Sequence, residues 1–315
     1  MTRKPLTQRQ RFFKALKFEE PDRPPHFELH FELEEEAFGL KAVTQEEWQQ
    51  ATSTSGKEIL FVRSAEIYAK TVEAFQWDAV ASFSPSHEYE FFPFLKKELG
   101  DDIPIASMIW GACISIETVS DYMQFSVDLY ENPKKLHEWA RSLMDSSLDR
   151  AKRLIDAGCD FIVVPSDIAH NQGPFISPRH CREFIFPYLK ELVDFIQKNG
   201  VPVIYHTDGD LLPIMDDLLD IRPDGLQSID PLAGMDIAEV KKLTYGEIAL
   251  MGNVDCGAVQ YGPIEKIIES AEYALTYGPK GGGYIYSSSN TIFKGIPLEN
   301  YRVMLDYFHN KFPLV

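Results

Sequence analysis

His206 and Asp208 follow an apolar run at residues 201–205, and these side chains could do chemistry. The run is rich in β-branched residues and predicts a buried strand that ends at the histidine. Residues two apart in a strand point to the same face, so the imidazole and the carboxylate can share one site. Together they could ligate a metal or move a proton. The alternatives are a hydrogen-bonded core histidine at position 206 and a simple strand-to-helix turn, in which Asp210 caps a helix beginning at Leu211.

Polar residues also follow most of the other predicted strands. One such residue means little, because residues that cap helices are common at these positions. A succession of them indicates a shared site, because the carboxyl ends of parallel strands meet at one edge of a sheet. Counting the pair already described and the aromatic Trp110, the residues at these strand ends are His87 and Glu88, Trp110, Asp167 and Asn171, His206 and Asp208, Asp230, Asn253 and Asp255, and Ser287 to Asn290.

The elements that would position these residues alternate between strands and helices. Eight β-rich runs are separated in most cases by helical patterns, and this alternation predicts a parallel sheet. The α/β pattern favours a (β/α)8 TIM barrel, with a short amphipathic helix over residues 7–18 and a single domain over residues 1–315. The predicted strands are residues 25–31, 79–83, 105–110, 161–165, 201–206, 225–229, 248–252 and 283–286.

The first predicted strand has an unusual polar face. His26, Glu28, His30 and Glu32 alternate with apolar residues, which would place all four on one side. An ordinary barrel strand would bury such a face. The pattern therefore indicates either a site facing the barrel interior or a segment that is not a regular strand.

Composition excludes several classes of protein. The net charge of −17 disfavours binding to nucleic acid or to an anionic membrane surface. No apolar run approaches the length that spans a membrane, and the polar N-terminus carries no signal region, so we expect a cytoplasmic protein. The four cysteines are scattered without a CxxC pair, and reduced, buried thiols are expected. The sequence does not fix the oligomeric state and is compatible with a homodimer.

Nine short stretches, in order along nearly the whole chain, form a recognisable pattern. They are residues 11–16 (RFFKAL), 21–25 (PDRPP), 128–133 (DLYENP), 173–178 (GPFISP), 186–190 (FPYLK), 200–206 (GVPVIYH), 251–255 (MGNVD), 282–285 (GGYI) and 297–300 (PLEN). Together they resemble the uroporphyrinogen decarboxylase superfamily. The superfamily also contains cobalamin-dependent methyltransferases, and the resemblance implies a (β/α)8 barrel.

Two departures argue against decarboxylation of uroporphyrinogen. In the decarboxylases an arginine-rich signature after the first strand binds the substrate carboxylates. Here residues 28–36 read ELHFELEEE, which would repel a polycarboxylate. The decarboxylases also use an aspartate in a Phe-Ser-Asp sequence, and Pro85 stands at that position here.

A third departure concerns the zinc methyltransferases of the superfamily, which use a His-x-Cys pair and a later cysteine. Here His206 is followed by Asp208, and the later region reads Ser-Ser-Ser-Asn at residues 287–290. The resemblance that remains implies an enzyme that moves a methyl group from a small methylated substrate, such as an aryl methyl ether or a methylamine, to the cobalt of a partner corrinoid protein. No Asp-x-His-x-x-Gly signature for bound cobalamin occurs in this chain, so the cobalamin would belong to the partner.

The leaving oxygen or nitrogen of such a substrate gains negative charge, which a metal or an acid must neutralise. Zinc held by His206 and Asp208 is one hypothesis. Proton donation by His30, Glu88 or Asp167, with His206 as a further catalytic group, is another. For substrate binding we expect the polar residues Glu28, Asn171, Asn253 and Asn290. Trp110, Tyr205, Tyr89 and Phe83 would form an apolar wall, with core packing as the alternative for each.

Two other functions stay open at this stage. A metal-independent decarboxylase or lyase would use Asp167 or His206 as its acid, and it would need cations for a substrate carboxylate. Arg179 and Arg182 are the nearest in sequence, but they lie on a helix one turn after the loop, and Lys294 is isolated. A binding barrel without catalysis is the weaker reading, because titratable residues gather at the strand ends.

Overall fold

Seven parallel strands form the curled sheet of this computed structural model, which describes residues 5–82 and 88–313, with only the backbone at Glu88. In sheet order the strands are β1, β2, β3, β6, β7, β8 and β9, and a separate two-stranded antiparallel hairpin joins β4 to β5. Their bounds are β1 Val80–Ser82, β2 Ile105–Met108, β3 Phe161–Pro165, β4 Ala169–His170, β5 Gly173–Pro174, β6 Val203–His206, β7 Gly225–Gln227, β8 Ala249–Val254 and β9 Tyr284–Ser288.

Helices alternate with the strands and cover the outer face of the sheet. Two 3₁₀ helices, Leu212–Ile214 and Pro231–Ala233, follow β6 and β7. The α-helices are α1 Gln8–Leu16, α2 Glu34–Phe38, α3 Gln45–Gln50, α4 Thr54–Phe75, α5 Glu88–Leu99, α6 Tyr122–Glu131, α7 Pro133–Asp156, α8 Pro178–Phe184, α9 Phe186–Lys198, α10 Met215–Ile221, α11 Ile237–Thr244, α12 Cys256–Tyr261, α13 Ile264–Tyr277 and α14 Leu298–Lys311.

The barrel prediction is confirmed, and seven of the eight predicted strands form. The segment at residues 25–31 is the exception, because it makes isolated parallel bridges, His26 to Tyr286 and Phe31 to Ile292, instead of a regular strand. It still occupies the eighth position, since the Tyr286 amide donates to the Pro25 carbonyl and the Asp78 amide donates to the His26 carbonyl. Pro24 and Pro25 lack amide hydrogens, which shortens the ladder that this segment can make.

The first helix closes the amino-terminal end of the barrel. Thr7 and Gln10 form a capping box at its start, so the helix begins one turn into the chain. The Phe12 ring lies 4.6 Å from the Phe161 ring and 5.8 Å from the Phe27 ring, and all three residues are completely buried. These rings plug the barrel and leave the opposite end as its open rim.

A buried ion cluster joins the two edges of the sheet. The Asp78 carboxylate lies 2.6 Å from Arg11 Nη1 and 2.8 Å from Arg23 Nη1, and none of these side chains is more than 5% exposed. The same carboxylate accepts a hydrogen bond of 2.8 Å from the His26 amide. It therefore connects α1, the segment at residues 25–31 and the start of β1.

The buried residues of α9 show how a helix of this barrel packs against the sheet. In α9 the residues Leu189, Leu192, Val193 and Ile196 are all buried, at the three- and four-residue spacing of a helix face packed on a core. All four cysteines are buried and free of disulfides, as expected. Within the described residues, no helix combines the length and apolar character that crossing a membrane requires.

Replacing Asp78 with alanine should destabilise the protein by about 3–5 kcal/mol, because buried Arg23 loses its carboxylate partner and buried Arg11 keeps only Asp22. The free energy of unfolding, measured by chemical denaturation, tests this. Glu239→Ala breaks the exposed Glu239–Lys242 pair and is the control, with an expected change below about 1 kcal/mol. Equal effects of the two substitutions would contradict the closing role of Asp78.

Candidate metal centre at the barrel rim

The residues at the ends of β3 and β6 converge at the rim. Pro165 of β3 pairs with His206 of β6, so Asp167 and Asp208 each follow their strand by two residues. One ligand atom from each of Asp167, His206 and Asp208 lies within 4.8 Å of the other two. His206 Nε2 is 3.7 Å from Asp167 Oδ1, which is too long for a hydrogen bond. The chain thus presents one nitrogen and two carboxylate oxygens around a common point.

Gln227 fixes the orientation of the histidine. His206 Nδ1 contacts Gln227 Oε1, while Gln227 Nε2 donates to the Asn290 carbonyl at 3.0 Å. Since the amide nitrogen is used on Asn290, its oxygen faces the ring and Nδ1 must carry the hydrogen. In the neutral ring, Nε2 then presents its lone pair toward Asp167, as in histidines that bind metals.

Asp208 has one oxygen that is used and one that is not. Oδ2 accepts a hydrogen bond of 2.5 Å from Asn290 Nδ2, whereas Oδ1 is buried and has no hydrogen-bond partner among the described residues. A buried acceptor without a partner carries a desolvation cost of about 1–3 kcal/mol or more. A cation between this oxygen and His206 Nε2 would remove that cost, so the residues fit a divalent metal.

Asp167 is held from two sides. Its Oδ1 accepts from the Asp208 amide at 3.0 Å, and its own amide donates to Glu117 Oε1 at 3.2 Å. Partial burial raises the pKa of Glu117, with the neighbouring Asp167 adding to the rise and a hydrogen bond from Ser115 opposing it. Glu117 therefore retains a proton more readily than an exposed glutamate, next to a candidate ligand.

The described part of the rim opens into a broad cavity of about 860 Å³. Asp167 and Asp208 line it together with the β4–β5 hairpin, and the predicted binding residue Asn171 is exposed at the hairpin's tip. Asn290 contacts the cluster directly through Asp208. Asn253 is buried and lines a neighbouring cavity with Asp255.

Several predicted site residues lie away from this cluster. Tyr205 is completely buried and donates to the Ser166 carbonyl at 3.0 Å. Adjacent residues of a strand face opposite sides of the sheet, so this ring does not share a face with His206. Trp110 is 46% exposed, so the described residues do not enclose it in an apolar wall. Tyr89 packs against the core. The side chain of Glu88, and Phe83 with His87, lie outside the described residues.

Two residues of the first segment are also placed elsewhere. Glu28 is completely buried and accepts hydrogen bonds from the Ser288 amide at 3.1 Å and from Ser288 Oγ at 2.7 Å. His30 lies 3.3 Å from Glu32 and lines a separate cavity beside β1. Of the two readings of this polar face, the structure therefore favours the irregular segment.

Sequence reasoning missed Gln227 and Glu117, and it partly misplaced a cap. A glutamine inside the short apolar strand β7 was the available signal for the first, whereas nothing local marked the second. Asp210 does accept from the Leu212 amide, at 3.0 Å, but the helical turn begins at Leu212 and not at Leu211.

The parallel sheet and the cluster of titratable residues at its rim place this chain among α/β-barrel proteins with an enzyme-like site. The sequence profile of the uroporphyrinogen decarboxylase (URO-D) family matches residues 65–311, so the chain belongs to that family. The match covers all of the described strands and the helices from the second half of α4 to α14.

Individual relatives are distant. The chain is 27% identical over 226 residues to the uroporphyrinogen decarboxylase of Aromatoleum aromaticum and 24% identical over 220 residues to that of an Anaeromyxobacter species. Each match covers 68% of this chain and 61% of the relative, so the chain spans about three-fifths of the length of these proteins. A solved methyltransferase from Methanosarcina mazei matches with a TM-score of 0.76 and 19% identity, over 98% of this chain and 99% of that one, which establishes a shared fold.

Glu28 should make the stability of the protein depend on pH. Burial raises its pKa to about 8, so the native state keeps a proton that the unfolded state releases near pH 4.5. Its contribution is complete below about pH 4.5 and is lost as the pH rises through 8, by a few kcal/mol, at about 1.4 kcal/mol per unit of pKa. Denaturation from about pH 5 to about pH 9 should show a flatter profile for Glu28→Gln. Exposed Glu35→Gln is the control, and an unchanged slope in Glu28→Gln would refute the assignment.

The rim cluster should bind one divalent ion per chain, and Co²⁺ followed by calorimetry and by its visible absorption is the probe. Asp208→Asn should weaken binding strongly, and Gln227→Met should weaken it about 10–100-fold because the histidine loses its orienting partner. Asp210→Asn, two residues away and outside the cluster, should bind as the wild type does. Binding that survives in Asp208→Asn would place the ion elsewhere.

Proposed function

We propose that this chain is a metal-dependent methyltransferase, which moves a methyl group from a small methylated substrate to the cobalt of a partner corrinoid protein. The observation that carries the proposal is the convergence of Asp167, His206 and Asp208, with an unpartnered buried oxygen, at the rim of a URO-D barrel. His206 stands where the superfamily's zinc methyltransferases, by resemblance, use a histidine, and Asp208 stands in place of the first of their two thiolates.

Zinc would be held by His206 Nε2 and by the carboxylates of Asp167 and Asp208. Oxygen ligands in place of thiolates make a harder site, which suits an ether, phenolate or amine leaving group. When bound, such an ion acts as a Lewis acid that stabilises the negative charge of the leaving atom.

The protein's own side chains would orient the metal ligands and protonate the leaving atom. Gln227 holds the His206 ring, and Asn290 holds Asp208, so neither ligand has to reorganise when substrate arrives. Glu117, whose Oε1 accepts from the Asp167 amide at 3.2 Å, would supply a proton to the departing oxygen or nitrogen. Asn171 on the hairpin, Asn253 and Trp110 stay candidate contacts for the substrate.

The open rim leaves room for the second reactant, the corrinoid protein. A cavity of about 860 Å³ is larger than a small methylated compound needs, and a corrinoid protein would dock over it and present the reduced cobalt to the methyl group. We propose a cytoplasmic location and leave a homodimer as a compatible assembly.

A lyase or decarboxylase that acts on another small carboxylic acid is the second candidate. It is favoured by the carboxyl pair of Glu117 and Asp167 and by the decarboxylases among the relatives. The described residues that line the rim cavity include no lysine or arginine to bind a substrate carboxylate. Arg182 is already paired with Asp217 at 2.7 Å. The acidic residues 32–36 argue in the same way against uroporphyrinogen.

The test combines zinc-loaded protein with a reduced corrinoid protein and a panel of methylated phenols and amines. Formation of methylated cobalt, followed by the absorbance of the corrinoid, is the expected result. Asp208→Asn should lower the rate by about 10²–10⁴-fold. Asp210→Asn, as the matched control, should keep the rate of the wild type.

Methylation of cobalt by none of the substrates would overturn the proposal. Release of carbon dioxide from a small carboxylic acid by metal-free protein would establish the second candidate instead. An Asp208→Asn variant as active as Asp210→Asn would remove the rim cluster from the reaction.

A further inference from the structure

A second cavity lies away from the rim cluster. It has a volume of about 350 Å³ and lies beside β1, between that strand and the helices α2 to α5. None of Asp167, His206 and Asp208 is among its lining residues. It is therefore a separate site, and what it binds does not depend on the proposed methyl transfer.

Aromatic rings form much of its wall. Trp48 of α3, Tyr68 of α4 and Phe91 of α5 line it together with Phe31 and Trp77. Trp77 and Phe91 are at most 2% exposed, so these rings are fixed in place. The negative face of an aromatic ring attracts cations, and several rings around one space form the cage that binds quaternary ammonium groups.

A buried carboxylate completes the cavity. Glu34 is only 5% exposed, and its Oε2 has no hydrogen-bond partner among the described residues. Burial raises the pKa of this glutamate, and a hydrogen bond from its own backbone and then the charge of Lys294 oppose the rise. Oε2 thus borders the cavity without a close partner among the described residues.

The other charged residues of the lining are already engaged or lie at the surface. Glu32 pairs with His30 at 3.3 Å and accepts from the Lys294 amide at 2.9 Å. The Lys294 side chain is exposed. An acceptor without a partner among aromatic faces favours a cation over an anion, and it favours a cation with apolar substituents over a hydrated one.

We propose that this cavity binds a small methylated ammonium ion, with its methyl groups against the rings of Trp48, Tyr68 and Phe91 and its charge beside Glu34. The acidic run at residues 32–36 and the net charge of −17 would draw such a cation toward the cavity.

Choline and its uncharged analogue 3,3-dimethylbutan-1-ol test the proposal by calorimetry, since the two differ in charge but hardly in shape. The wild type should bind choline about tenfold or more tightly than the analogue. Glu34→Gln keeps the size of the side chain and should lower choline affinity by about tenfold or more. Trp48→Leu should weaken binding as well, whereas Glu36→Gln, on the exposed face of the same helix, should change it less than about twofold.

Equal affinity for choline and the alcohol would overturn the proposal, and this comparison needs no variant to fold. Unchanged choline binding by Glu34→Gln would overturn it as well. A loss of choline binding in Asp208→Asn, with Glu34→Gln unaffected, would place the cation at the rim and refute the second site. Binding to Asp208→Asn that equals the wild type supports it.

Discussion

The Asp78 carboxylate, buried between two guanidinium groups, is the interaction on which the barrel depends. It joins α1, the irregular segment at residues 25–31 and β1, and these are the parts of the chain that must meet for the ring to close. Hydrophobic burial alone would tolerate other arrangements of this segment, which makes few ladder hydrogen bonds. A buried carboxylate that both arginines reach disfavours arrangements in which either contact is lost, so it holds the start of the segment at residues 25–31 beside β1.

Closure in this register also builds the rim cluster. Pro165, His206 and Gln227 are successive partners across β3, β6 and β7, so Asp167, His206 and the orienting amide come side by side without any long loop. Each ligand lies at or just beyond a strand end, where the sheet fixes the backbone and the side chain faces the open rim. The sheet holds the Asp208 oxygen in place without a hydrogen-bond partner, although its desolvation costs free energy.

Local sequence was sufficient for the features that depend on period and was insufficient for those that depend on register. The same-face placement of His206 and Asp208 followed from the two-residue period of a strand. The same rule, applied to Tyr205, would have turned that ring away from the rim. Gln227 and Glu117 could not be assigned from sequence, because their partners lie on other strands or loops. The segment at residues 25–31 does not form the predicted regular strand. Its prolines cannot donate to a neighbouring strand, and the His26 amide donates to Asp78 instead.

Asp208 and Glu34 pose the same physical problem with different surroundings. Each has a buried carboxylate oxygen without a hydrogen-bond partner among the described residues, and each borders a cavity. Beside Asp208 the neighbours are an imidazole nitrogen and a second carboxylate, which are ligands for a small divalent ion. Beside Glu34 they are aromatic rings, which cannot coordinate a metal but can stabilise a large, weakly hydrated cation through their faces. The unpaired oxygen calls for positive charge in both places, and the atoms around it determine the size and hydration of the cation that fits.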